Sequence, residues 1–253
     1  MYSSVEISNN LLNPGVIDLR YQPRINSFTG NIVKLKAIAF SRGYELFLPD
    51  YGGCFAPNDK NSAATVGNWS IRQVCNQIAQ WKTLKQAVVP VAVGVYTQQL
   101  ETGSFLWTVQ HSLEKTRLPG NLLEVELQEK CIYLNSINLR KTLQSLWDIG
   151  VTISISGFGT DWSAFRYLRT LPIDSVMIHK CFVKGIGHDK KAEETIKRMT
   201  DILYEYNIRC FAPAVETSSQ ELFLASVGCQ IIQSAHAPLP ADRVTTILQN
   251  MPY

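Results

Sequence analysis

The chain has 253 residues, of which 45% are hydrophobic and 18% charged, and a formal net charge of +3. That mix excludes a disordered tail, and the length suits one large α/β domain better than a bundle or a sandwich. So small a charge gives no support to direct nucleic-acid binding, and the two local basic clusters, Lys34 with Lys36 and Lys190 with Lys191, read as solvated surface.

In chain order, residues 1–15 are polar and Asn-rich and read as an N-terminal arm or short helix, followed by a single domain over 16–253. Apolar, β-branched runs then predict eight strands: Val16 to Arg24, Ile32 to Phe40, Val88 to Val95, Leu122 to Leu127, Val151 to Ile155, Ser175 to Ile178, Ile208 to Phe211 and Gln230 to Gln233. Helical patterns alternate with them at Ile71 to Trp81, Thr108 to Lys115, Leu139 to Trp147, Ser163 to Leu171, Glu194 to Tyr206, Ser219 to Val227 and Ala241 to Gln249. In the clearest of these, Ile196, Met199 and Leu203 recur at spacings of three and four and form one apolar stripe. Sustained alternation of this kind predicts parallel strands closed into a barrel with helices outside.

The first two strands break the rule. Only Asn26-Ser27-Phe28-Thr29-Gly30 joins them, too short for a crossover helix, so they are predicted to pair as an antiparallel hairpin. Pro49 to Asn68, rich in Gly, Asn, Asp and Ser, reads as a long irregular excursion. The cysteines (Cys54, Cys75, Cys131, Cys181, Cys210 and Cys229) include no CxxC pair and fit free thiols in a reducing cytoplasm. No signal peptide and no run of about 20 apolar residues is present, so a soluble cytoplasmic protein without a membrane partner is expected.

Seven landmarks follow one another in order: Leu19-Arg20-Tyr21-Gln22-Pro23, Gln77-Ile78-Ala79-Gln80-Trp81, Leu123-Glu124-Val125-Glu126-Leu127-Gln128-Glu129, Phe158-Gly159-Thr160, Leu171-Pro172-Ile173-Asp174, Ala214-Val215-Glu216-Thr217 and Gly228-Cys229-Gln230-Ile231-Ile232-Gln233. From about Val16 onward this succession resembles the EAL family of cyclic di-GMP phosphodiesterases. The resemblance implies a modified (β/α)8 TIM-like barrel with an antiparallel first strand, in agreement with the short hairpin. It also implies hydrolysis of one phosphodiester by two magnesium or manganese ions at the C-terminal ends of the strands. Such a site must gather carboxylates around four positive charges.

At the positions the resemblance marks for this chemistry, the chain carries other residues. Lys36, followed by Ala37 and Ile38, stands where the glutamate of the family's naming tripeptide is expected, and Gly94 where an asparagine ligand is expected. Ser156 and Gly157 stand for the paired aspartates, Met177 for a lysine, His179 for the aspartate that follows it, and Pro213 for a glutamate. Retained are Glu126 at a ligand position, Glu129 and Glu216 in supporting roles, and Gln22 and Gln233 at ligand-contacting positions. No catalytic residue, metal or cofactor is therefore expected.

Individual residues stay open between two readings. Lys36 either grips a phosphate in place of the metals or neutralises Glu126. Phe40, at the place of a ligand-gripping arginine, either stacks on guanine or fills apolar space. His179 and Cys181 lack further zinc ligands and read as a packed or hydrogen-bonded pair. Glu216 competes with Thr217 and Ser218 to cap the following helix, and Met177 suits a drier pocket. The leading reading is a catalytically inactive EAL-like module that acts through an unidentified regulatory protein, in control of motility, adhesion or transcription. The alternative is a receptor that binds cyclic di-GMP without cutting it, with Gln22, Lys36, Ile38, Glu126, Glu129, Glu216, Gln233 and Pro238 as candidate contacts. An active phosphodiesterase is the reading these residues support least. A homodimer through helices beside the barrel fits the resemblance.

Overall fold

The computed structural model describes residues 17–41, 44–45, 60–84, 88–95, 97–100, 103–129, 132, 137–160 and 165–251. The expected arm over 1–15 and the 49–59 part of the expected excursion lie outside these residues. Strands β1 (Ile17–Asn26) and β2 (Ile32–Ser41) pair antiparallel, as the five-residue link requires. The Asn26 carboxamide accepts from the N–H groups of Phe28 and Thr29, and Gly30 supplies the left-handed φ of 69° that closes the turn. A short β3 (Tyr44–Glu45) extends β2 at its edge.

The chain continues through α1 (Lys60–Thr83), β4 (Val91–Val95), α2 (Thr97–Leu100), α3 (Gly103–Thr116), β5 (Leu123–Gln128), α4 (Ile137–Asp148), β6 (Thr152–Phe158), α5 (Phe165–Leu168) and β7 (Ser175–Ile178). It ends with α6 (Lys180–Gly185), α7 (Lys190–Glu205), β8 (Arg209–Val215), α8 (Ser218–Ser226), β9 (Ile231–Ser234), β10 (Leu239–Pro240) and α9 (Ala241–Gln249). β2, β4, β5, β6, β7, β8 and β9 pair in parallel order, and β1 closes the ring by pairing antiparallel with both β2 and β9. The result is the modified (β/α)8 barrel expected from the sequence, with β3 and β10 as short additions.

Two expectations about extent need correction. Residues 60–68 belong to α1 and not to an irregular excursion, because Val66, Ser70, Val74 and Ile78 continue one buried stripe at helical spacing through the polar stretch. The helix expected over Ser163 to Leu171 is a single turn, Phe165–Leu168, among the described residues.

Alternation along each strand separates two interiors. Val91, Val93, Leu123, Val125, Leu127, Ile153, Ile155, Val176, Ile178, Cys210 and Ala212 belong to the large apolar core between barrel and helices. The residues between them face inward, and they are Ala92, Gly94, Glu124, Glu126, Ser154, Ser156, Met177 and Phe211. Apart from Met177 and Phe211, the inward face is thus polar or small where a barrel of this type is usually packed with branched apolar side chains.

Trp81, fully buried at the end of α1, donates its indole N–H to Thr245 Oγ1 at 2.8 Å and receives the edge of Tyr21 at 5.3 Å, tying α1 to α9 and β1. At the entry to β5, Gly120 lies against the turn after α4: a Cβ there would press on the Ile149 carbonyl and come within 2.8 and 2.9 Å of the Gly150 and Val151 backbone. Gly120→Ala is therefore expected to destabilise the fold by about 1–3 kcal/mol, measured by urea denaturation; an unchanged midpoint contradicts this packing.

Candidate functional site

Five charged side chains meet inside the barrel. Arg24 on β1 donates through Nη1 to Glu124 Oε1 at 3.2 Å and through Nη2 to Glu126 Oε2. Lys34 on β2 donates to the second oxygen of Glu124, and Lys36 donates to Glu126 Oε1 at 2.6 Å. All five are at most 6% exposed. The β-strand period places them together: Lys34 and Lys36, like Glu124 and Glu126, are two residues apart and share a face.

Lys34 and Lys36, read from sequence as solvated, are thus corrected to buried. Arg24 also donates Nε to Gln233 at 3.1 Å, and the Phe211 ring lies 4.8 Å from Lys34 Nζ and 5.7 Å from the Arg24 guanidinium carbon.

Electrostatics follow from this arrangement. Burial pushes the Glu126 carboxyl upward, but Lys36 and then Arg24 outweigh it and hold the group down at about 2. Burial drives the Lys34 ammonium below its ordinary range, with Glu124 opposing and Arg24 reinforcing the shift.

Glu129, just beyond β5, is equally buried and fully occupied. It accepts from the Gly159 N–H at 3.1 Å, the Thr160 N–H at 3.2 Å, the Thr160 hydroxyl at 3.0 Å and the Tyr167 hydroxyl at 3.1 Å. It therefore pins the segment after β6 to the end of β5.

A cleft of about 220 Å³ opens at the C-terminal ends of the strands, among Gln22, Gly157, Met177, His179, Lys180, Lys184, Pro213, Glu216 and Gln233. Its walls carry two backbone irregularities. Gly157 has φ 74° where the β6–β7 register shifts, and Ala214 has φ 53° where the β8–β9 register shifts. A left-handed alanine is strained, and Ala214 lies in the cleft wall itself. His179 accepts the Cys181 N–H on Nδ1 at 3.2 Å, which starts α6 and leaves the Cys181 thiol exposed and out of the pair. Among the described residues, no three His, Cys, Asp or Glu side chains are grouped so as to hold a metal ion.

A family model described as the EAL domain matches residues 5–235. The chain belongs to the EAL domain family. Among curated proteins, this EAL chain is 28% identical over 246 residues to the oxygen sensor protein DosP of Escherichia coli (strain K12), covering 94% of the chain and 30% of DosP. It is 27% identical over 238 residues to the cyclic di-GMP phosphodiesterase NbdA of Pseudomonas aeruginosa, covering 92% of the chain and 30% of NbdA. It therefore spans about a third of the length of these relatives.

Two solved structures share the fold. The PaMucR phosphodiesterase, solved as a c-di-GMP complex, superimposes with a TM-score of 0.84 at 24% identity over 95% of this chain and 99% of that one. The FimX EAL domain from Pseudomonas aeruginosa, solved bound to c-di-GMP, gives 0.82 at 20% identity over 94% and 97%.

Within this EAL barrel, the residues singled out from sequence are not all brought to one place. Gln22, Gln233 and Glu216 line the cleft, together with Gly157, Met177 and Pro213. Lys36 and Glu126 are withdrawn into the ion network, Glu129 into its own loop, and Ile38 and Gly94 border a separate pocket beside Lys36. Pro238 is absent from the cleft lining; Leu239, next to it, pairs with Tyr21 on β1 and holds this segment as a strand edge. Glu216 is not a cap. Thr217 caps α8 in a reciprocal box with Gln220.

Phe40 is 8% exposed and carries the Arg20 guanidinium at 4.7 Å from its ring centre, so it is buried filler under a cation. Arg24, Lys34 and Glu124 were missed, although charges alternating through an apolar strand are the signal that finds them. Lys180 and Lys184 were missed because no motif marks them.

The depressed Glu126 carboxyl stabilises the folded state above the ordinary value of 4.5, and that contribution, on the order of 3 kcal/mol, is lost as the pH falls through about 2. Lys36→Met removes the dominant cation, so its loss of stability on acidification should begin at higher pH than in the parent. Coincident urea-against-pH curves for the two proteins contradict the pairing.

Proposed function

We propose that this EAL domain does not hydrolyse cyclic di-GMP and acts as a regulatory binding module whose surface engages another protein. The observation that carries the reading is the occupancy of Glu126: one oxygen holds Lys36 at 2.6 Å and the other holds Arg24. Two divalent ions need several unshared carboxylates, and here the retained acid faces an ammonium and a guanidinium instead. At about 4 Å and an effective dielectric near 20, a unit-charge contact is worth roughly 4 kcal/mol, so a dication placed beside Lys36 and Arg24 meets repulsion of several such amounts. The remaining strand-end positions of the cleft, Gly157, Met177 and Pro213, add no anionic side chain. Among the described residues, Glu216 is the acid in its lining, and Lys180 and Lys184 stand with it.

The same two lysines favour a second reading, a non-hydrolytic cyclic di-GMP receptor, because ammonium groups beside Gln22 and Gln233 suit a phosphodiester. The volume weighs the other way. At about 220 Å³ the cleft is smaller than the roughly 300–1,000 Å³ usual for small-molecule sites and accommodates part of a cyclic dinucleotide.

The discriminating experiment incubates the purified chain with cyclic di-GMP and manganese and follows linear product, with calorimetry in parallel. The expected result is no linear product and no binding tighter than about 10 μM, near 7 kcal/mol. Tighter binding without cleavage moves the receptor reading ahead, and brisk linearisation overturns both.

A further inference from the structure

The ion network does not balance. Arg24, Lys34 and Lys36 bring three positive charges and Glu124 and Glu126 two negative ones, a surplus of one. Just outside the network, Arg209 and Asp174 both act on this charge set and cancel one another. An uncompensated charge inside a barrel is costly, so something must offset the surplus.

Two donors on the opposite wall point to what does so. Ser154 is 2% and Ser175 0% exposed, and neither hydroxyl has a hydrogen-bond partner. The strand register places them side by side. Gly94 pairs with Glu126, Glu126 with Ser154, and Ser154 with Ser175, so these side chains share the inward face. Gly94, on β4 between β2 and β5, adds room beside Lys36, since a Cβ there would have no atom within 4 Å. The long cations of β1 and β2 end on Glu124, Glu126 and the Phe211 ring, and the short residues with idle hydroxyls lie on β6 and β7, between those two strands' neighbours β5 and β8. Buried hydroxyls in native structures find an acceptor.

We propose that the interior of this barrel binds one small monovalent anion of the chloride class, held between the Lys34–Arg24 side of the network and the hydroxyls of Ser154 and Ser175. A halide accepts from both hydroxyls and cancels the surplus charge at once, which water does not do.

The test is thermal unfolding of the full chain in potassium chloride against potassium gluconate at equal ionic strength. Chloride is expected to raise the melting temperature in a saturable way, by roughly 3–5 °C at ten times its half-saturating concentration. Lys34→Met, which removes the surplus charge, and Ser154→Ala with Ser175→Ala are each expected to abolish the difference. Crystals grown in bromide should show one anomalous peak inside the barrel, a readout that stands even where a variant fails to fold. Equal melting in both salts, or a barrel interior without bromide signal, overturns the proposal in favour of a bridging water or a neutral Lys34.

Discussion

A carboxylate with a cation on each oxygen is the constraint on which the rest of this molecule depends. Glu126 cannot sit at 3% exposure inside a barrel unless its charge is met, and Lys36 and Arg24 meet it from two strands that run antiparallel to each other. The hairpin that makes β1 antiparallel places Arg24 opposite Lys34 in register, so the two cations reach Glu124 together. Fold and electrostatics are therefore one arrangement. Removing a single partner leaves a buried unpaired charge, which commonly costs 3–5 kcal/mol, whereas the intact set need not stabilise more than an apolar filling would.

The same arrangement determines what the barrel mouth offers. Arg24 is joined to Gln233, and Gln233 forms part of the cleft, so the floor of the cleft rests on the network. Above it, the strand ends carry glycine, methionine and proline, with a strained Ala214 beside them. Lys180 at the start of α6 and Lys184 in its last turn give the rim a positive character. Scaffold and site are separable in barrels of this kind, and here the scaffold is preserved through its apolar outer core.

Much of the fold was legible because outward strand residues and helix stripes follow simple periods. Ile196, Met199 and Leu203 were expected on one face of a helix and are buried there. The antiparallel hairpin followed from a link too short to cross over. What escaped notice depended on tertiary context. Lys34 and Lys36 look like surface until Glu124 and Glu126, 90 residues away, are placed beside them. The polar residues at the start of α1 resemble a loop because their apolar stripe is diluted. Lys180 and Lys184 face the cleft only because His179 turns the chain into α6 at that point. One of the two readings of Lys36, the neutralisation of Glu126, shows in a single distance of 2.6 Å.

The central claim is that the two carboxylates inside this EAL barrel, Glu124 and Glu126, are already committed to cations of the chain itself. Titration of the purified chain with manganese, reading the free aqueous ion by its paramagnetic resonance in the presence of cyclic di-GMP, tests it most directly. The account predicts that added manganese stays free, with no stoichiometric site. Two ions taken up per chain, lost again on Glu126→Gln, would contradict it.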